Sequence, residues 1–106
     1  MVYVFVLLLE NMHFYVGTTN HHNFKLEHIN VMKQPDWIKM HKPVQVYNII
    51  PNCTPEDADK YTLKYMKKYG IFKVRGGSYS SHYLTEETKN KLKKLIETKS
   101  LNIDNI

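Results

Sequence analysis

The sequence predicts a small α+β domain: a mostly antiparallel three-stranded sheet flanked by helices, in the order β-β-α-β-α-turn-α. Three observations predict it. Runs rich in β-branched and aromatic residues, Val2 to Glu10, His13 to Val16 and Val44 to Ile50, read as strands. The segments around them carry helix start and stop signals. At 106 residues, 42% hydrophobic and 24% charged, the chain can fill one core but not two.

Val2 to Glu10 is apolar on both faces, which predicts a strand covered on both sides. Glu10-Asn11-Met12 predicts a tight turn, with His13 to Val16 as the return strand ending at Gly17. Asn20 can cap a helix from about His21 to Lys33, with Phe24, His28, Val31 and Met32 inward and Pro35 as its stop. Val44 to Ile50 is the third strand, closed by Pro51-Asn52. Thr54-Pro55-Glu56-Asp57 is the clearest helix start. Thr54 caps, Pro55 takes the first helical position, and Asp57 reaches back in a variant capping box. This helix runs to Tyr69, and Gly70 ends it. Arg75-Gly76-Gly77-Ser78-Tyr79 reads as a glycine-bearing turn. Thr85 caps a final helix whose apolar stripe is Leu92, Leu95 and Ile96, and residues 102–106 are expected to fray. Residues 1–84 form the domain, and the helix and tail of 85–106 pack onto it.

Fifteen Lys and Arg against ten Asp and Glu give a net charge of +5, which permits a polyanionic partner without requiring one. Long basic tails, coiled coil and collagen are excluded. The lone Cys53 cannot close an intrachain disulfide, which favours a reducing, intracellular compartment. The apolar run Val2 to Leu9 falls short of the ~20 residues that span a bilayer. It also lacks the flanks of a signal peptide, so no membrane partner is expected.

Two short strands carry Tyr3-Val4-Phe5 and Tyr15-Val16-Gly17-Thr18-Thr19. With Phe24-Lys25-Leu26-Glu27-His28, Trp37, Lys42-Pro43 and the stretch from Asp57 through Tyr65-Met66, Tyr69-Gly70 and Val74-Arg75-Gly76-Gly77-Ser78-Tyr79, the chain resembles the GIY-YIG endonuclease superfamily. It is similar in particular to GIY-YIG domain proteins of large DNA viruses, over about residues 3–80. The resemblance implies a virus-encoded nuclease in the host cytoplasm or nucleus. It would hydrolyse DNA phosphodiester bonds with one divalent metal, Mg²⁺ or Mn²⁺. Such an ion keeps most of its waters and needs few protein ligands, while a neighbouring cation offsets charge on the phosphate. Double-strand cleavage by so small a site would call for a homodimer or two visits.

Carried onto this chain, the resemblance places Tyr15 beside the attacking water. Phe5 falls where the first half-motif has tyrosine, and Tyr3, two residues away on the same strand face, is the substitute. Lys25 stands at the family's arginine and keeps the charge without the bidentate fork. The expected metal carboxylate falls near Thr62 or Leu63, and Asp59, about one turn earlier, is the candidate ligand. His28 and His41 are candidate neighbours of the site. Arg75 either contacts the nucleic-acid strand or pins its glycine turn to a carboxylate or to carbonyl oxygens. Lys64 and Lys68, within the stripe Lys60-Lys64-Lys67-Lys68, form a phosphate track if they share a face with Tyr15 and Lys25. Trp37 either stacks a base or lids the core edge. The hydrolytic reading requires the Tyr15 hydroxyl, the Lys25 ammonium and a carboxylate of the middle helix to converge on one hollow. Its alternative is a catalytically degenerate copy that binds nucleic acid or protein. The histidines lack zinc-site spacing, and Ser78, Ser80 and Ser81 with His82 lack a nucleophile-elbow context.

Overall fold

A computed structural model describes residues 1–31 and 33–97. The fold is α+β, with a four-stranded mixed sheet and three helices. Strand β1 (Val2–Leu9) pairs antiparallel with β2 (His13–Thr19) on one side and with β3 (Pro43–Cys53) on the other. The turn between β1 and β2 holds Asn11 and Met12 at positive φ (56° and 60°), the mirror-image turn that suits the twist of a hairpin.

The fourth strand corrects the expected three. Val74–Gly76, the start of the expected glycine turn, forms β4 and pairs parallel with β2, giving the order β3-β1-β2-β4. A three-residue strand leaves almost no periodic signal. Gly76 permits the close approach, because a Cβ there would collide with the Val16 carbonyl. β3 is also longer than expected, since its irregular pairing with β1 absorbs Pro43 and Pro51 at an edge where proline is tolerated.

The expected helix from His21 to Lys33 is corrected too. Residues 21–25 form turns and irregular backbone, and Leu26–Val31 is a 3₁₀ segment. Asn20, His21, His22 and Asn23 compete with helix formation by local hydrogen bonding and poor propensity. Of the expected inward positions, Phe24 is buried, whereas Ile29, not His28, is the second anchor. The Val31 side chain, Met32 and residues 102–106 lie outside what is described. Pro35 caps the short helix α1 (Asp36–Met40) rather than ending one, and α1 buries Trp37 and Ile38.

Helix α3 (Glu86–Glu97) starts after Thr85 as expected, whereas α2 (Asp57–Tyr69) ends at Gly70 as expected but starts two residues late: Glu56, not Thr54, is its N-cap, and Pro55 lies in the turn before it. The Thr54 backbone N–H donates to Asp57 Oδ2 (2.8 Å), which is the reaching-back half of the capping box. At the far end Gly70 takes φ +105° and donates to the Met66 carbonyl (2.8 Å). The Thr88 N–H donates to Thr85 Oγ1 (3.2 Å), as an N-cap requires.

The pleat divides β1 and β2 between two cores. Val4, Val6, Phe14 and Val16 face α2 and α3, packing on Ala58, Leu63, Tyr65, Met66 and Leu92. Phe5, Leu7 and Leu9, joined by Tyr15, face the other way and are covered by Phe24, Ile29, Trp37 and Ile38. Leu84 and Leu92 lie in the first core, so the C-terminal helix packs onto the same body. Among the described residues no helix is long and apolar enough to cross a membrane.

Candidate functional site

Tyr15 sits mid-strand in β2, opposite Leu7 of β1 and Arg75 of β4. Its ring approaches that of Phe5 (centroids 6.3 Å apart). Burial pushes the Tyr15 phenol above its ordinary value, so it stays protonated at neutral pH and is poorly suited to take a proton from water. Phe5 is a core residue stacked on Phe24 (4.3 Å), and its ring tip fills the space above Gly17. A Cβ at Gly17 would lie 2.6 Å from Phe5 Cζ, so the motif glycine has a packing reason in this chain. Tyr3, opposite Thr19, is half-buried further along the same strand.

Lys25 is exposed on the segment covering that face. Its backbone N–H donates to His28 Nδ1 (2.9 Å), which holds the half-buried His28 ring against Phe24. Tyr15, Phe5, Phe24, Lys25 and His28 therefore belong to one side of the sheet. His41 stands elsewhere on this side, stacked on His13 (3.8 Å) and edge-on to Trp37 (4.4 Å). Burial, then His13 and Lys73, push its imidazole below the ordinary value, against a smaller opposing pull from Glu10.

Asp59 occupies the other layer, in the first turn of α2. Its Oδ1 accepts the Ser78 backbone N–H (2.6 Å) and its Oδ2 accepts the Ser78 hydroxyl (2.8 Å). Gly77 lies so close that a Cβ would meet Asp59 Oδ1. The shallow hollow of about 270 Å³ beside Asp59 is lined by Pro55, Glu56, Asp59, Gly77 and Ser78. Neither Tyr15 nor Lys25 lines it. The buried face of α2 carries Ala58, Thr62, Leu63, Tyr65 and Met66, none of them acidic. Thr62 turns its hydroxyl back onto the Ala58 carbonyl (2.6 Å). Asp59 is thus placed in the α2 layer and Tyr15 in the opposite core, and the hollow beside Asp59 is shared by neither Tyr15 nor Lys25.

Arg75 is 3% exposed, and four of its five N–H donors bond backbone carbonyls: Ile71 (2.7 Å), Val74 (2.8 Å), Ser81 (2.9 Å) and His82 (3.3 Å). The guanidinium lies 4.3 Å from the centre of the Trp37 ring. Desolvation lowers its pKa to about 10, which still leaves it charged at neutral pH. This is the turn-pinning arrangement, with the side chain buried beneath Trp37 and residues 81–82. Trp37, buried and donating its Nε1–H to the Phe14 carbonyl (2.9 Å), lids the core edge.

Lys64 and Lys68 lie on α2, across the sheet from Tyr15 and Lys25, so they do not extend that site. They border aromatic rings instead. Lys68 Nζ is 5.4 Å from the Tyr69 ring centre and Lys64 Nζ is 5.9 Å from that of Tyr61. Tyr69 stacks on Phe14 (4.4 Å), Tyr47 of β3 packs edge-on against Phe14 (5.5 Å) and Tyr65 (6.3 Å), and the neighbouring Tyr69 raises the pKa of the Tyr47 phenol, so α2 and the β3 edge share one basic, phenol-rich surface. Sequence reading missed Tyr47 because its place depends on a strand pairing distant in the chain. No family model, no curated protein and no solved structure matches this chain.

Proposed function

We propose that this chain is a GIY-YIG-like domain with a degenerate hydrolytic centre, and that it binds nucleic acid through backbone phosphates. One observation carries the reading. Asp59, the candidate metal carboxylate, is bound to Ser78 in the α2 layer, while Tyr15 and Lys25 belong to the opposite side of the sheet. Phe5 and a phenol held protonated at Tyr15 weaken hydrolysis further. The net charge of +5 and the lysine-bearing, phenol-rich surface of α2 support binding.

The test is incubation of supercoiled plasmid with Mg²⁺ or Mn²⁺, alongside DNA-binding titrations across a salt series. The expected result is no nicking, with affinity that falls steeply with salt and falls further in Lys64→Glu and Lys68→Glu. Metal-dependent nicking abolished by both Tyr15→Phe and Asp59→Ala would restore the nuclease and overturn the proposal. Absence of both activities would leave a protein-interaction module.

A further inference from the structure

Four rings form a nearly parallel column that starts in the core and ends in solvent. Phe5 stacks on Phe24 (4.3 Å, 18°), Phe24 on His28 (5.6 Å, 20°) and His28 on His21 (4.8 Å, 24°). Burial decreases along it: Phe5 and Phe24 are buried, His28 is half-buried and His21 is exposed. The Lys25 backbone N–H donates to His28 Nδ1 (2.9 Å) and fixes that ring, and the His21 backbone N–H donates to Thr19 Oγ1 (3.2 Å), tying its main chain to the end of β2. Its last ring, His21, is exposed and accessible to a planar group from outside the chain.

The geometry points to this column as a stacking platform for an unpaired nucleobase, with the exposed Lys25, whose backbone bonds His28, as the cation on the same segment. Every base has a π-face, so such a platform takes single-stranded nucleic acid with little sequence preference. A duplex offers a ring face only at its ends and meets the protein through phosphates. The inference rests on the nucleic-acid reading above but uses the opposite side of the sheet from α2. It gives the two sides different tasks, phosphate contact at α2 and capture of a splayed base at His21.

The full chain is titrated into an oligothymidylate of about 12 nucleotides, within the range one small domain covers, carrying a single 2-aminopurine. A duplex of the same length is titrated in parallel. Stacking should quench the 2-aminopurine in the single strand and leave the duplex signal unchanged. His21→Ala should abolish the quench and weaken single-strand binding about tenfold, within the range for removing one stacking ring. Duplex binding should be unchanged in that variant. His21→Phe should preserve both quench and affinity, which a hydrogen-bonding role of the imidazole would not allow. Single-strand binding without quenching, or unaltered binding by His21→Ala, would overturn this inference while leaving the nucleic-acid reading intact. Failure to bind either form would overturn both.

Discussion

The two sides of the sheet are built differently. The α2/α3 side is covered by regular helices, each with a recognisable start, and by residues at helical spacing. The other side is covered by turns, a six-residue 3₁₀ segment and a five-residue helix. Regular helices satisfy their own backbone and need only an apolar stripe to dock. An irregular cover must satisfy its backbone and hold its shape by individual bonds. That is why Trp37 reaches the Phe14 carbonyl, Gln34 the Ile29 carbonyl and Lys25 the His28 ring. The candidate residues divide along the same line: Tyr15, Lys25 and His28 lie on the irregular side, and Asp59, Lys64 and Lys68 lie on α2.

The comparison is broken most severely at Arg75, which sits between β4, the Trp37 ring and residues 81–82. Arg75→Ala strands buried carbonyls beneath the irregular cover and should cost about 3–5 kcal/mol in urea unfolding. Arg75→Lys restores charge but not the fork, and should recover less than half of that loss. Gly17→Ala comes next. Its methyl would meet Phe5 Cζ at 2.6 Å, and displacing that ring disturbs the column through Phe24. A loss of about 1–3 kcal/mol is expected, with near-ultraviolet circular dichroism reporting the altered aromatic packing.

On the helical side, Asp57→Ala removes the acceptor for the Thr54 N–H and should cost about 1 kcal/mol, the usual worth of such a cap. The Asp57 carboxyl is held below its ordinary value, chiefly by that bond. Its contribution is therefore complete above the ordinary carboxylate range and is lost as pH falls through the lowered value. The smallest effect sharpens the contrast between the sides. His41 is also lowered, so its neutral form is favoured by folding. Stability of the irregular side should be full above pH 6.5, the ordinary imidazole value, and decline as pH falls from there toward the lowered value. The same descent should leave the Asp57 cap untouched until much lower pH. Trp37 fluorescence during unfolding at a series of pH values, with and without His41→Phe, separates the two.

The same contrast explains what the sequence disclosed. α2, α3 and the β1–β2 hairpin were legible because caps, stop glycines and periodicity are local signals. β4 was not, because three residues form a strand only when β2 supplies the partner, and Gly76 reads locally as a turn. The 21–33 helix failed because a hydrophobic spacing around Phe24 was compatible with a helix that the polar run before it does not support. At the site, the residue types at positions 5, 15 and 25 were visible, and so was the absence of an arginine at 25. Which side of the sheet each residue faces was not visible between elements. That is why Asp59 could be read as a partner of Tyr15 until Ser78 was seen to claim it.

Arg75 has one more consequence, for the order in which the molecule assembles. Its acceptors and its ring partner come from positions 37, 71, 74, 81 and 82, so the clamp closes only after both coverings have arrived. A clamp that closes after the folding transition state slows unfolding without changing the folding rate. Stopped-flow traces of Arg75→Lys should accordingly show faster unraveling with a nearly unchanged refolding rate. The guanidinium would then act as a latch on the finished structure and set how long each molecule persists.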